Sequence, residues 1–337
     1  MLLKNMNTKI LFVSYKEISK IFNFKINDFK KAELLSLINR LNTLAIIKKA
    51  GSGHIGTSFS AMDIFIWIKF FQFKTDKKNL KNISRNIFFS SKGHDAPALY
   101  SVLFSLGIIK QEKILKLRRI NGLDGHPDVS IPGIEANTGS LGMGLSKAKG
   151  ILWAKKYLKK KGKVIVLTGD GEFQEGQIFE ALQTISHQKL NDIIVIIDHN
   201  KIQSSEFVKK IIDLKNLKQK IKSFGWFVAK CNGHDFKKLK KTFNNFDKIK
   251  NKPKLLIADT IKGKGVSFME HPRVMKKEKI YNWHSGAPND KDFNKAQEEL
   301  IKKIKNKFSK QSLKLPKFTN LSDKNDIKSN KNSMEIH

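Results

Sequence analysis

Residues 163–203 read KVIVLTGDGEFQEGQIFEALQTISHQKLNDIIVIIDHNKIQ. Within them, Val164–Leu167 and Ile193–Ile197 are short runs rich in Val and Ile, without polar alternation. That is the pattern of strands buried on both faces. Between the runs Ile178, Ala181, Leu182 and Ile185 recur at helical spacing, so the segment reads as strand–helix–strand with a right-handed crossover. The fold class that follows is α/β, a parallel sheet flanked by helices on both faces. Ligands of such sheets bind beyond the carboxyl ends of the strands. Asp170 follows the first strand and Asn200 the second, which places the two side by side at one sheet edge.

A carboxylate, an amide oxygen and a turn of irregular backbone suit a hard cation such as Mg²⁺. This ion wants six oxygens at about 2.0–2.1 Å and takes several from phosphates and water. Asp170, Asn200 and the main-chain carbonyl of Ile202 leave the remaining positions for a diphosphate and a water. Gly169 and Gly171 let the backbone approach phosphate closely, and the helix after them offers free N–H groups to an anion. GDG alone reads more readily as a tight structural turn. The succession of strand, GDG, helix, strand and Asn is what makes the pattern specific.

This spacing resembles the thiamine diphosphate motif, and the surroundings sharpen the resemblance to the transketolase family. In chain order they are GSGHIGTS (51–58), SKGH (91–94), DGHPD (124–128), TGSLGMG (138–144), GDGEFQEG (169–176), DHN (198–200), GHD (233–235), KGKGVSF (262–268) and WHSGAPND (283–290). The resemblance covers residues 31–301, read as one thiamine diphosphate-binding domain between an amino-terminal extension (1–30) and a Lys/Asn-rich tail (302–337). It is similar to the amino-terminal section of transketolase, the module that binds the cofactor diphosphate. The resemblance implies thiamine diphosphate and Mg²⁺ as cofactors, with Ca²⁺ or Mn²⁺ as substitutes for the metal. It also implies transfer of a two-carbon ketol unit from a ketose phosphate to an aldose phosphate.

Carried over by motif, the resemblance brings His94 and His284 to the diphosphate and the reacting centre and His126 to the donor's first hydroxyl. His54 with His284 would polarise the carbonyl and pass protons. Gly139, Ser140 and Leu141 would face the aminopyrimidine, while Gly169, Asp170, Gly171 and Asn200 hold diphosphate and metal. Imidazole titrates near neutrality, so it can give or take a proton at working pH. A satisfied loop histidine is the simpler reading of any one of the four, and no HxxxH or CxxC pairing supports zinc. Glu175 reads equally as a carboxylate favoured by a helix N-terminus and as part of a proton-linking network across a subunit interface. Three features depart from the family pattern: Lys201 stands where Gly is usual and Met143 where Gln is usual, and 204–207 lacks a glycine. A positive φ at Lys201 would strain the turn.

The 337 residues carry a net charge of +35, with 65 Lys+Arg against 30 Asp+Glu. Lys, Asn, Ile and Phe are all abundant, which A/T-rich codons would also produce, so the charge does not by itself imply a nucleic-acid partner. The single cysteine, Cys231, excludes an intrachain disulfide and fits a reducing cytoplasmic setting. No apolar run approaches the roughly 18 residues that span a bilayer, and the start lacks a secretory cleavage pattern.

Outward from the centre, residues 32–49 and 97–106 carry helical periodicity. The 61–73 segment is apolar almost all round, with Trp67 and Phe71, as a core or subunit-interface helix would be. Residues 86–90, 226–229 and 255–258 read as further strands, and 141–158 and 236–246 as further helices. The long Gly/Pro-bearing loop from Asp124 to Gly142 has the character of a functional segment. Sparse apolar residues mark the tail as disordered.

Transketolases carry the cofactor-activating glutamate and the sugar-phosphate grip in a second domain. The expectation is therefore a separate carboxy-terminal section, the pyrimidine module, assembling with this chain as α2β2. Rival readings are the α chain of a 2-oxo acid dehydrogenase, a basic nucleic-acid-binding protein on a degenerate scaffold, and a non-catalytic assembly partner. The DGHPD and WHSGAP histidines suit sugar hydroxyls and argue against the first. No aromatic-basic recognition motif supports specific nucleic-acid binding.

Overall fold

The computed structural model describes residues 8–322. Five parallel strands form the central sheet: β1 (Ile87–Ser90), β2 (Val164–Gly169), β3 (Ile193–His199), β4 (Phe227–Asn232) and β5 (Lys254–Asp259), in spatial order β1-β2-β3-β5-β4. Successive side chains of a strand face opposite sides of a sheet, and here both sides are covered. Ile165, Leu167, Ile194, Ile196 and Leu256 pack into one core with helices α1 (Asp28–Ala50), α2 (Ile55–Ile66) and α3 (Ala96–Ser105). Val164, Val166, Ile193, Val195 and Leu255 pack into the other with α4 (Met143–Tyr157) and α5 (Gly176–His187). This two-sided burial is why the strands read as unbroken apolar runs.

Local chemistry sets the helix ends that matter for the site. Asn27 caps α1 by accepting a hydrogen bond from the Lys30 N–H at 3.0 Å, worth about 1 kcal/mol. The helix stops at Gly51, whose φ of 75° closes the αL turn before His54. His54 occupies the N-cap position of α2.

The apolar segment with Trp67 continues α2 as a π-helical turn, Trp67–Gln72. Trp67 stacks on Phe29 at 5.8 Å and on Phe71 at 5.4 Å, and meets Phe236 of α6 (Phe236–Lys248) at 5.9 Å. Its indole is buried by its own chain. The alternative of a subunit interface at this helix is therefore corrected: the surface is internal core.

The reading of residues 302–337 as a disordered tail also needs correction. Residues 302–309 complete α7 (Asp290–Ser309), whose Phe293, Ala296, Leu300, Ile304 and Phe308 are buried on one face. Few apolar residues suffice because they all fall on that stripe. Further on, Phe318–Asn320 pairs antiparallel with Leu11–Val13 of the amino-terminal extension. Two amides grip the backbone of that extension. Asn42 of α1 accepts from Val13 N (2.8 Å) and donates to Val13 O (2.9 Å). Gln297 of α7 accepts from Leu11 N (2.7 Å) and donates to Lys9 O (2.9 Å). Residues 323–337, the rest of that tail, lie outside the described residues, as do residues 1–7.

Phe308→Ala should cost about 3–5 kcal/mol, the usual loss on deleting a fully buried aromatic ring. Denaturant unfolding of the two chains measures it. A loss below about 1 kcal/mol would mean that this end of α7 is not packed in solution.

Candidate active site

The carboxyl ends of β2, β3 and β5 open on a cavity of about 310 Å³. Its walls include His54, His94, His126 and His284, the Asp170–Gly171 turn, Asn200, Ile202 and Lys262. The parallel register sets Gly169 beside Asp198 and His199 beside Asp259, so the loops that follow these strands start level with one another.

Asp170 is buried and takes one hydrogen bond on each carboxylate oxygen, from Gly171 N at 2.9 Å and Lys201 N at 2.5 Å. Burial, and then repulsion from Asp198, push its carboxyl up to about 7. The Asn200 side-chain oxygen accepts from Ile202 N at 3.1 Å, and its amide donates to Asp198 at 3.1 Å. The Ile202 carbonyl accepts from the Lys262 ammonium at 3.1 Å, and the Ser204 carbonyl does so at 3.2 Å. Burial pulls that ammonium down to about 7. Among the described residues no three His, Cys, Asp or Glu side chains converge as a metal cluster. A cation here would use one carboxylate, one amide and one carbonyl. A buried carboxylate that resists ionisation until a positive charge joins it fits that requirement.

The histidine rings meet in the cavity. His54 lies 5.1 Å from His94 and 5.2 Å from His284, centroid to centroid. Burial, then the charge of Arg118, pulls His54 down to about 4, and burial, then Lys262, pulls His284 down to about 3. Both are neutral at pH 7. His54 Nδ1 is buried with no partner among the described residues, whereas His284 Nδ1 stands 3.2 Å from the Lys262 ammonium. His126 is exposed at the mouth. The backbone passes so close behind it that a Cβ on Gly93 would meet the Thr138 carbonyl at 2.6 Å and the His126 ring at 2.7 Å.

Not every expected position joins the cavity. Gly139 and Leu141 line it, while Ser140 is exposed beside them. Glu175 is exposed at the N-cap of α5 and makes no capping bond. His234 of the GHD motif lies behind the wall: its Nε2 accepts from Ile261 N at 2.9 Å, so its Nδ1 donates to Asp63 at 2.6 Å. It braces the turn that carries Lys262. Lys201 does take a positive φ, 69°. Its ammonium is anchored to Asp259 and, at 3.1 Å, to the Thr260 carbonyl.

Sequence reasoning missed four groups. Asp198 accepts from Ser60 (2.6 Å), Lys92 (2.6 Å), Asn200 and Thr260. Burial opposes its charge, but Lys92 and these bonds hold its carboxyl below the ordinary range. Burial likewise opposes the Lys92 charge, and Asp198 and Asp95 outweigh it. Glu172 braces the TGSLG loop against β2 by accepting from Gly142 N (2.8 Å), Gly169 N (3.0 Å) and Ser91. Lys262 is the fourth. The available signal was an ionisable residue at the end of a buried apolar strand, which describes Asp198.

A family profile described as "Transketolase, thiamine diphosphate binding domain" matches residues 31–311. The chain belongs to the transketolase family. It is 37% identical over 273 residues to an apulose-4-phosphate transketolase subunit of Phocaeicola vulgatus, covering 81% of this chain and 94% of that one. It is 35% identical over 230 residues to a 6-deoxy-6-sulfo-D-fructose transketolase subunit of Clostridium sp., covering 68% and 84%. Human transketolase is 32% identical over 267 residues, 79% of this chain but 40% of its own length. The structure of Campylobacter jejuni transketolase superposes with a TM-score of 0.73 at 28% identity, covering 82% of this chain and 43% of that chain. The parallel sheet with helices on both faces is thus the thiamine diphosphate-binding fold of transketolases, and the chain is similar to their amino-terminal section.

The raised Asp170 carboxyl makes a prediction for the metal-free chain. With a folded value near 7 above the unfolded 3.8, stability is highest below pH 4 on this account and is lost as pH rises to 7. Asp170→Asn lacks that loss. Between pH 4 and pH 8 the stability of the native chain relative to the variant should fall by about 4 kcal/mol. Denaturant unfolding of both at the two pH values measures this, and a difference independent of pH would refute the burial argument.

Proposed function

We propose that the chain is the diphosphate-binding half of a split transketolase, moving a two-carbon ketol unit from a ketose phosphate to an aldose phosphate. The observation that carries this reading is the convergence of Asp170, Asn200 and the Ile202 carbonyl with a cluster of neutral histidines in one cavity. Support for a separate partner comes from two relatives that are each named as one subunit of an apulose-4-phosphate transketolase. This chain covers 94% and 87% of their lengths. The proposed assembly is α2β2 with a pyrimidine-module chain, working in the cytoplasm. Among the described residues no helix is long and apolar enough to cross a membrane.

In this reading Asp170, Asn200 and the Ile202 carbonyl hold Mg²⁺, with Ca²⁺ or Mn²⁺ as substitutes. Gly139, Leu141, Gly169, Gly171 and His94 cradle thiamine diphosphate, with Lys262 and Lys92 supplying positive charge. The bound cofactor supplies the carbanion-stabilising chemistry, and the protein's part is to bind, orient and move protons. His54 lines the cavity and is neutral at pH 7, so one of its ring nitrogens carries a lone pair that can accept a hydrogen bond from a substrate hydroxyl. His284 Nδ1 stands 3.2 Å from the Lys262 ammonium, so its lone pair can accept a hydrogen bond from that group. His126, exposed at the mouth, is placed to meet a sugar hydroxyl. Glu175, exposed with its capping capacity unused, faces the partner chain.

Calorimetry tests the metal site. Asp170→Ala should lose Mg²⁺-dependent thiamine diphosphate binding in the assembled complex while circular dichroism stays native. Unchanged affinity would remove Asp170 as a ligand.

Activity tests the division of labour. The chain alone should transfer no ketol units. Mixing it with a pyrimidine-module chain should restore transfer, and His54→Ala, His126→Ala or His284→Ala should each lower it by about 10²–10⁴-fold. A chain active by itself would end the split-enzyme reading.

A further inference from the structure

Among the described residues five lysines are buried: Lys69, Lys92, Lys155, Lys254 and Lys262. Four of their ammonium groups are hydrogen-bonded. Lys92 donates to Thr57 and Asp198, and Lys155 to the Arg85 and Lys161 carbonyls. Lys254 donates to the Asn191 carbonyl, and Lys262 to the Ile202 and Ser204 carbonyls. Lys69 is the exception. Within the described residues no hydrogen bond or ion pair reaches its ammonium, which stands 5.6 Å from the centre of the Phe88 ring. A ring face offsets part of the desolvation of a cation, but a buried charge ordinarily has a charged or hydrogen-bonding partner. Burial accordingly pulls the Lys69 ammonium down to about 8, although Glu135 attracts it.

The space where a partner would sit is open. Lys69 lies on the π-helical turn Trp67–Gln72, a distortion that often marks functional sites. It lines a cavity of about 100 Å³ together with Lys74, Thr75, Asp76, Asn79, Arg85 and Glu135. Asn86 and Phe88 set this cavity beside the amino end of β1, whereas the histidine cavity opens at the carboxyl ends of the strands. The two carboxylates are already engaged. Glu135 holds Arg85 through two bonds, at 2.9 and 2.6 Å, and Asp76 accepts from Lys78 N at 3.0 Å. Lys74, the Thr75 hydroxyl and the Asn79 amide make no side-chain hydrogen bond within the described residues. Three cations thus face two carboxylates, and the free groups are donors. That combination suits a compact oxyanion. Because Asp76 and Glu135 keep spare lone pairs, an anion that carries a proton of its own fits better than one that carries none.

We propose that this cavity is an anion site separate from the histidine cavity, taking hydrogen phosphate between the Lys69 and Lys74 ammonium groups. The Thr75 hydroxyl and the Asn79 amide supply further donors. The site does not depend on the ketol-transfer reading.

Isothermal titration calorimetry of the full chain with inorganic phosphate tests it, at an ionic strength held constant with chloride. Phosphate bound in the histidine cavity is common to the native chain and the variants, so the difference between them isolates this site. The native chain should bind one phosphate more than Lys69→Met, whose side chain keeps the length and drops the charge. Lys74→Ala should weaken the site by about tenfold, and sulfate, the same shape without a proton, should bind it less tightly than phosphate. Equal stoichiometry in the native chain and Lys69→Met overturns the proposal and leaves Lys69 solvated by water alone. Sulfate binding as tightly as phosphate overturns it too. Lys74 is exposed, so Lys74→Ala keeps the fold and decides the question should Lys69→Met fail to fold. An unchanged phosphate affinity in that variant overturns the site.

Discussion

One buried carboxylate organises the site. Asp198, at the end of β3 and without solvent exposure, receives hydrogen bonds from four directions: Lys92 after β1, Ser60 on α2, Thr260 after β5 and Asn200 in its own loop. A buried charge that loses a partner costs about 3–5 kcal/mol. Every loop that reaches this carboxylate is therefore fixed at the depth of the strand ends. Burial, and then this charge across the register, push the Asp170 carboxyl up to about 7.

Charge inside the cavity is arranged differently from charge on the surface. Most of the lysines behind the +35 total are solvated and carry no structural message. Lys92 and Lys262 are buried, and they are poised in opposite ways. Lys92 is kept charged by Asp198 and Asp95. Lys262 is weakened toward neutrality by burial while it touches the Ile202 carbonyl and His284. A site of this kind gains from a ligand that brings both a cation and an anion, because each relieves a different strained group. The depressed histidines follow from the same burial and cationic surroundings, and their neutrality suits groups that accept protons.

Departures from the family pattern are accommodated locally. Lys201 stands where glycine is usual, and its positive φ is offset by an ammonium held between Asp259 and the Thr260 carbonyl. Its N–H still donates to Asp170, so the turn keeps the contact that orients the carboxylate. Met143 is exposed at the start of α4, outside these interactions.

By itself, the sequence determined the strand–helix–strand unit, the pairing of Asp170 with Asn200 at adjacent strand ends, and the loops that carry the four histidines. These are local quantities: an apolar run, a helical period and a residue that follows a strand. Only the tertiary structure decided that Trp67 is core, that Phe308 belongs to a packed helix, and that Glu175 and Ser140 stand outside the cavity. It alone showed Asp198, Lys92, Glu172 and Lys262 as the frame of the site. Burial and ion pairing between residues such as Lys92 and Asp198, 106 positions apart, depend on which loops meet in space. Neither periodicity nor spacing along a single chain encodes that meeting.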